Sequence, residues 1–217
     1  MTDRFADKGS GGVNLPNRLT LIRIAAIPVF MALATEVTGP ASQMLTGAGL
    51  GGFVQAYNAF VAGGGYIAAG VLFVAAFATD ALDGYIARKY DMITDLGKFL
   101  DPVADKLLVI AALVVLTARG EAGAWVTVIM VSREFIITSF RLIAANKGIV
   151  LAAGGFGKAK TAVQFAALTL LLFRNFGIPA LNAVFAGTVL LYIALILAII
   201  SGVDYIYKNR GLLKNPA

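Results

Sequence analysis

Residues 79–106 read TDALDGYIARKYDMITDLGKFLDPVADK, and their reading decides the fold. The stretch lies between two strongly apolar segments and holds six of the chain's twelve acidic residues. Four of the six stand in pairs, Asp80 with Asp83 and Asp101 with Asp105. Residues three and four apart share one face of a helix, so each pair sets two carboxylates side by side. The pattern predicts two helices joined by a short turn. Asp91 and Asp95 fall in the connector and do not share the spacing.

The surroundings of this stretch are those of a membrane protein. Hydrophobic residues make up 59% of the chain, charged residues 14%, and the mean hydropathy is +0.83. Such a composition predicts an all-α integral membrane protein with one compact domain. A carboxylate at the centre of a membrane helix costs roughly 2.5–3.5 kcal/mol, and four at that depth would cost on the order of 10 kcal/mol. Hard divalent cations with all-oxygen ligands offset such a cost. The bland alternative sets the four acids at a solvated membrane edge or pairs them with Lys98, Lys106 and Arg88. The doubled spacing, with Gly84, Ala87 and Arg88 directly after the first pair, favours the metal.

Cysteine and histidine are both absent. Disulfides, thiolate nucleophiles, Cys/His zinc sites and a histidine general base are therefore excluded. What remains is the chemistry of Asp, Glu, Lys, Arg and hydroxyls. The net charge of +6 is accounted for by a membrane surface, with no nucleic acid required.

Residues 1–13 are expected to form a disordered tail, and 14–217 the membrane domain. The segment NLPNRLTLIR at 14–23 reads as an interfacial helix start, with Pro16 near its first turn. Together with the apolar run that follows, and Ala32 and Ala34, it imitates a cleaved signal peptide. Arg23 and Pro28 interrupt that layout, so a retained span over 19–35 is the preferred reading. Further spans are expected over 66–88, 98–118, 122–146, 158–173 and 178–205, lengths that suit a hydrocarbon core of ~30 Å. The intervening 36–65 reads as a Gly-rich loop with a shallow apolar segment. With the N-terminus inside, only Arg119 and Arg174 of the eighteen basic residues fall on the outer side. Six spans then place both termini in the cytoplasm.

Every charged residue within a span lies toward its cytoplasmic end in this topology. A polar cavity open to the cytoplasm is therefore expected. Two carboxylate pairs could hold one or two Mg²⁺ or Mn²⁺ ions, which clamp phosphate oxygens during displacement at phosphorus. Gly84 and Ala87 permit close approach of a ligand or a helix, and the Arg88 fork suits a diphosphate. Arg133 and Arg141, eight residues apart, share a helix face. With Lys158 and Lys160 they suggest a site for a second, separately phosphorylated substrate. Simple topogenic charge is the competing reading of these cations. Glu134 is expected to pair with a neighbouring cation or cap the site. A different class, a divalent-cation transporter, would need polar groups at midplane depth and on both sides.

The spacing Asp80-x-x-Asp83-Gly84-x-x-Ala87-Arg88, then eight residues, then Gly97-x-x-x-Asp101-x-x-x-Asp105 resembles the CDP-alcohol phosphotransferase signature at every fixed position. The segments NLPNRLTLIR, GKFLDPVADKLLV, SREFIITSFRL, GKAKTAVQ and SGVDYIYK extend the resemblance over most of the chain, least of all in 36–65. The resemblance implies a six-helix, usually dimeric enzyme of the bacterial cytoplasmic membrane with a dinuclear Mg²⁺ or Mn²⁺ site. It implies transfer of the phosphatidyl group from CDP-diacylglycerol to sn-glycerol 3-phosphate. By matching positions, Asp80, Asp83, Asp101 and Asp105 would hold the metals, and Asp105 would also be the general base. Gly84, Ala87, Arg88 and Thr94 would contact the CDP moiety, as would Asn17 and Thr20. Arg133, Arg141, Lys158 and Lys160 would hold the glycerol phosphate. The shared motif leaves another acceptor, such as inositol phosphate, open.

Overall fold

The structure is a computed structural model that describes residues 15–89, 95–149, 155–173 and 183–213. All secondary structure among them is helical, as the composition predicts. The helices are α1 (Leu15–Ala34), α2 (Gly39–Leu45), α3 (Gly51–Phe60), α4 (Tyr66–Lys89), α5 (Asp95–Ala118), α6 (Ala124–Asn146), α7 (Gly155–Phe173) and α8 (Ala183–Asn209). One π-helical turn joins α2 to α3 and another joins α3 to α4, and a 3₁₀ turn follows α8. The expected spans coincide with α1 and α4 to α8. Among the described residues, three continuous stretches, Gly39–Asp80, Gly155–Phe173 and Ala183–Asn209, are long and apolar enough to cross a membrane. The expected disordered tail, 1–13, and the basic end at Lys214 lie outside the described residues.

Helix α1 packs against α4 and α5, α4 against α7, and α6 against α5 and α8. Phe30 of α1, Phe73 of α4, Leu113 and Leu116 of α5, and Met130 of α6 are fully enclosed where these helices meet. A segment removed by cleavage would not fill a core in this way, so α1 is part of the fold. The most extensive contact joins α7 to α8. Helix α8 buries a stripe of small residues, Ala183, Gly187, Ala194, Ala198 and Gly202, and Gly187 lies directly against α7. A β-carbon on Gly187 would lie 2.8 Å from Cγ of Leu171 and 3.3 Å from the carbonyl oxygen of Ala167. Lipid tails are as apolar as leucine, so such close packing, rather than burial from water, holds membrane helices together.

The expectation of a loop over 36–65 is corrected: 39–65 is helical, continuous in its hydrogen bonding with α4. Glycine is tolerated in apolar membrane helices, and no charged residue between Val37 and Thr79 draws this segment into water. The helix kinks at Gly49, whose φ of +82° and ψ of 6° need a residue without a β-carbon. Helix α3 turns Tyr57 and Asn58 toward the end of α1. The Tyr57 hydroxyl donates to the carbonyl oxygen of Ala32, and Asn58 exchanges two hydrogen bonds with the Val37 backbone at 2.8 and 3.0 Å. These bonds satisfy backbone groups at and beyond the end of α1 that the helix itself leaves open. Phe53 and Phe60 face outward. At the same end, Arg119 donates to the Ala34 carbonyl oxygen at 3.1 and 2.7 Å and lies over the Tyr66 ring.

Candidate functional site

The charged residues of the spans gather at the opposite end of the bundle. Asp80, in the last turns of α4, accepts a hydrogen bond of 2.5 Å from Nη1 of Arg23 on α1. The Arg23 side chain is 3% exposed and that of Asp80 39%. From the sequence, Arg23 has no role in the site and reads as an interruption of a signal-peptide layout. Its signal was position, an arginine inside an apolar run where positive charge needs a partner. Thr20, one turn earlier on α1, is buried.

Helix α5 brings Asp105 to the same region. It stands near enough to Asp80 and Glu134 to feel both negative charges, and near Lys106 and Arg23. Asp83, Gly84, Ala87 and Arg88 continue α4, and Asp101 lies one turn before Asp105 on α5. Their side chains lie outside the described residues, as does that of Asn17; so does Thr94 altogether. Asp80 and Asp105 are thus the expected metal ligands whose side chains the structure describes. They come from different helices, repel one another and offer only hard oxygen donors, a set that fits a hard divalent cation.

Asp105 opens onto a small cavity of about 50 Å³, lined also by Phe77, Lys106, Glu134, Lys160, Thr161 and Gln164. Phe165 of α7 stacks on Phe77 at 3.9 Å and on Phe73 at 5.7 Å, closing the apolar side. Lys160 is 3% exposed and donates to Glu134. Glu134 also accepts from Nη1 of Arg133 at 3.0 Å, and Nη2 of Arg133 donates to Oγ of Ser201 at 3.0 Å. One carboxylate on α6 thereby ties cations of α6 and α7 together, and Arg133 carries the tie to α8. Glu134 does pair with neighbouring cations, as its position in sequence suggested.

A second cavity, of about 460 Å³, lies on the far side of the Arg133–Glu134 pair. Arg133, Arg141, Ser201, Asp204, Tyr205 and Lys208 are among its lining residues, with the Gly155–Gly157 start of α7. Arg141 stands over the Tyr205 ring at 5.8 Å, and Lys208 donates to Asp204 at 2.8 Å. The shared face of Arg133 and Arg141 is therefore the wall of one basin. The four cations expected to act together are divided. Arg133 and Arg141 face the larger cavity, Lys160 faces the smaller one, and Lys158 is exposed and lines neither.

Comparison with known proteins finds relatives along most of the chain. The profile of the CDP-alcohol phosphatidyltransferase family matches residues 13–200. The chain is 40% identical to the CDP-diacylglycerol–glycerol-3-phosphate 3-phosphatidyltransferase of Bacillus subtilis, over 93% of this chain and 97% of that one. Proteins of the same name from Rickettsia bellii and Haemophilus influenzae are 34% and 36% identical. Those two alignments cover 88% and 92% of this chain, and 93% and 95% of the relatives.

Proposed function

The chain belongs to the CDP-alcohol phosphatidyltransferase family, and on that premise we propose that it transfers the phosphatidyl group of CDP-diacylglycerol to sn-glycerol 3-phosphate. The products are phosphatidylglycerol phosphate and CMP. The observation that carries this reading is similarity along nearly the whole length of relatives bearing that activity in their names. The site geometry suits it. Carboxylates from two helices, Asp80 of α4 and Asp105 of α5, stand at the same end of the bundle as a basin lined by Arg133 and Arg141.

Asp80, Asp83, Asp101 and Asp105 would hold two divalent cations, Mg²⁺ or Mn²⁺, whose charge would offset that of the diphosphate. Arg88 grips diphosphate oxygens with its planar fork, while Gly84 and Ala87 leave room for the nucleotide. Asn17, Thr20 and Thr94 complete the CDP contacts. Arg133 and Arg141 hold the acceptor phosphate in the larger cavity, with Lys158 at its approach. Lys160 sits between that cavity and the reacting end, held by Glu134. Asp105 takes the proton from the acceptor's primary hydroxyl as that oxygen attacks the β-phosphorus. The bond from phosphorus to the bridging oxygen breaks, and CMP leaves with the electron pair. Among the described residues no side chain is disposed as a covalent nucleophile, which favours a direct displacement with inversion at phosphorus.

The same reading makes α1 and α4 to α8 six membrane spans with both termini in the cytoplasm, in a homodimer of the bacterial inner membrane. The positive-inside distribution supports the orientation. The test is CMP release by purified protein given CDP-diacylglycerol, Mg²⁺ and each acceptor separately. Release with glycerol 3-phosphate, abolished by chelation and by Asp105→Asn, is the expected result. Release only with inositol phosphate or another acceptor would keep the donor site and overturn the acceptor assignment.

A further inference from the structure

Arg23 enters none of the steps above, yet its guanidinium sits directly on a proposed metal ligand. Nη1 donates to Oδ1 of Asp80 at 2.5 Å. Arg23 also lies near enough to Asp105 for its charge to act there, so one cation of α1 serves carboxylates of α4 and α5. Its side chain is 3% exposed, on a helix packed against both of theirs. A guanidinium keeps its charge in a protein, and a charge so enclosed needs a standing anionic partner. Arg23 therefore stays beside Asp80 when a second cation arrives.

The Asp80 side chain is 39% exposed, so its carboxylate remains within reach of ions from solvent. A divalent cation that takes it shares the ligand with a guanidinium. What stands behind a metal ligand acts according to its charge. A carboxylate behind a ligating histidine strengthens the hold on the metal, and losing such a partner costs roughly 10–100-fold in affinity. A cation does the reverse, because it takes up part of the ligand's charge and repels the metal. Between a single and a double charge a few ångströms apart, repulsion weakens binding by roughly tenfold even at the dielectric of water. It grows where water is excluded, as it is around Arg23. The ordering that the hydrogen bond gives one short side chain is the smaller effect.

We infer that Arg23 is a resident countercharge that stabilises the carboxylates of α4 and α5 in the absence of metal and, by competing for Asp80, keeps the enzyme's hold on divalent cations weak. The inference rests on the proposed metal role of Asp80 and Asp105. Arg23 and the metal neutralise the same carboxylates, so each diminishes what the other adds. By linkage, what Arg23 takes from metal affinity it contributes to the stability of the protein without metal. An arginine of purely structural value would lower stability on removal and leave metal affinity unchanged or weaker.

The experiment is titration calorimetry with Mn²⁺ on the purified protein in detergent, without lipid substrate. It compares wild type, Asp80→Asn, Arg23→Gln and Arg23→Lys, and the unfolding midpoint of each is read in chelator and in saturating Mn²⁺. Asp80→Asn should weaken Mn²⁺ binding about tenfold or more. Arg23→Gln should bind Mn²⁺ about tenfold more tightly than wild type, and its deficit in midpoint should shrink when Mn²⁺ replaces chelator. Arg23→Lys keeps the charge and should stay within about threefold of the wild-type Kd. Loss of folded protein lowers the fitted stoichiometry and leaves the Kd in place. Three results overturn the inference: an Arg23→Gln variant that binds Mn²⁺ no more tightly than wild type, one that stays unfolded in saturating Mn²⁺, or an Arg23→Lys variant that tightens as Arg23→Gln does. A wild type that binds Mn²⁺ no better than Asp80→Asn would instead refute the metal role of Asp80, and this inference with it.

Discussion

Replacing Glu134 by Gln removes the one negative charge that holds both Lys160 and Arg133. The Lys160 side chain is 3% exposed, that of Arg133 15% and that of Glu134 20%, so the pair with Lys160 is largely withdrawn from water. Breaking a buried pair by deleting one partner costs about 3–5 kcal/mol. Two features reduce that figure here. Glu134 keeps some solvent, and the negative charge of Asp105 lies near Lys160 and partly replaces it. A loss of about 2–3 kcal/mol is the expected net result, or roughly 5–10 °C in the unfolding midpoint. The assay is scanning calorimetry in detergent on Glu134→Gln, Lys160→Met and the double variant. The double variant leaves no buried cation stranded at position 160, so it should regain at least half of the loss caused by Glu134→Gln. Additive losses in the double variant would refute the ion-pair account. A Glu134→Gln midpoint unchanged from wild type would do the same.

Gly187→Ala should destabilise by about 1–3 kcal/mol through overpacking, with recovery when Leu171→Ala is added. The reason is the 2.8 Å approach of the new carbon to Cγ of Leu171, and calorimetry reads both variants. Arg23→Gln should lower CMP release about tenfold or more, because Asp80 loses a charge-assisted hydrogen bond, and Arg23→Lys should recover part of it. Full activity in Arg23→Gln would mean the pair is dispensable. Arg141→Gln should raise KM for glycerol 3-phosphate about tenfold and leave KM for CDP-diacylglycerol within about twofold. A change in the donor KM instead would move Arg141 out of the acceptor basin.

Much of this molecule was legible in the chain because the relevant signals are local. Long apolar runs bounded by charge identify helices, and these coincide with the expected spans to within a few residues at their described ends. Spacings of three and four place Asp80 with Asp83 and Asp101 with Asp105, since a helix turns by a fixed angle per residue. The eight-residue spacing of Arg133 and Arg141 likewise gave one face, and both line one cavity. The loop expected over 36–65 failed for an equally physical reason. Glycine signals a break in water, where its unfolded freedom and exposed backbone compete with the helix. In an uncharged apolar segment that competition is weak, and most of its glycines keep helical geometry, with Gly39 and Gly49 at positive φ.

The sequence by itself determined the class of protein, the two carboxylate pairs and the chemistry open to a chain without cysteine or histidine. Tertiary structure alone decided which groups meet across helices. Arg23 lies 57 residues from Asp80, Lys160 lies 26 from Glu134, and Ser201 lies 68 from Arg133. No spacing encodes those meetings, because they depend on helix crossing angles, on axial register and on how closely small residues such as Gly187 let the axes approach. The same packing separated Lys160 from Arg141, although both read as one basic group in the chain. Spacing fixes a side chain's direction on its own helix, and packing fixes what stands opposite.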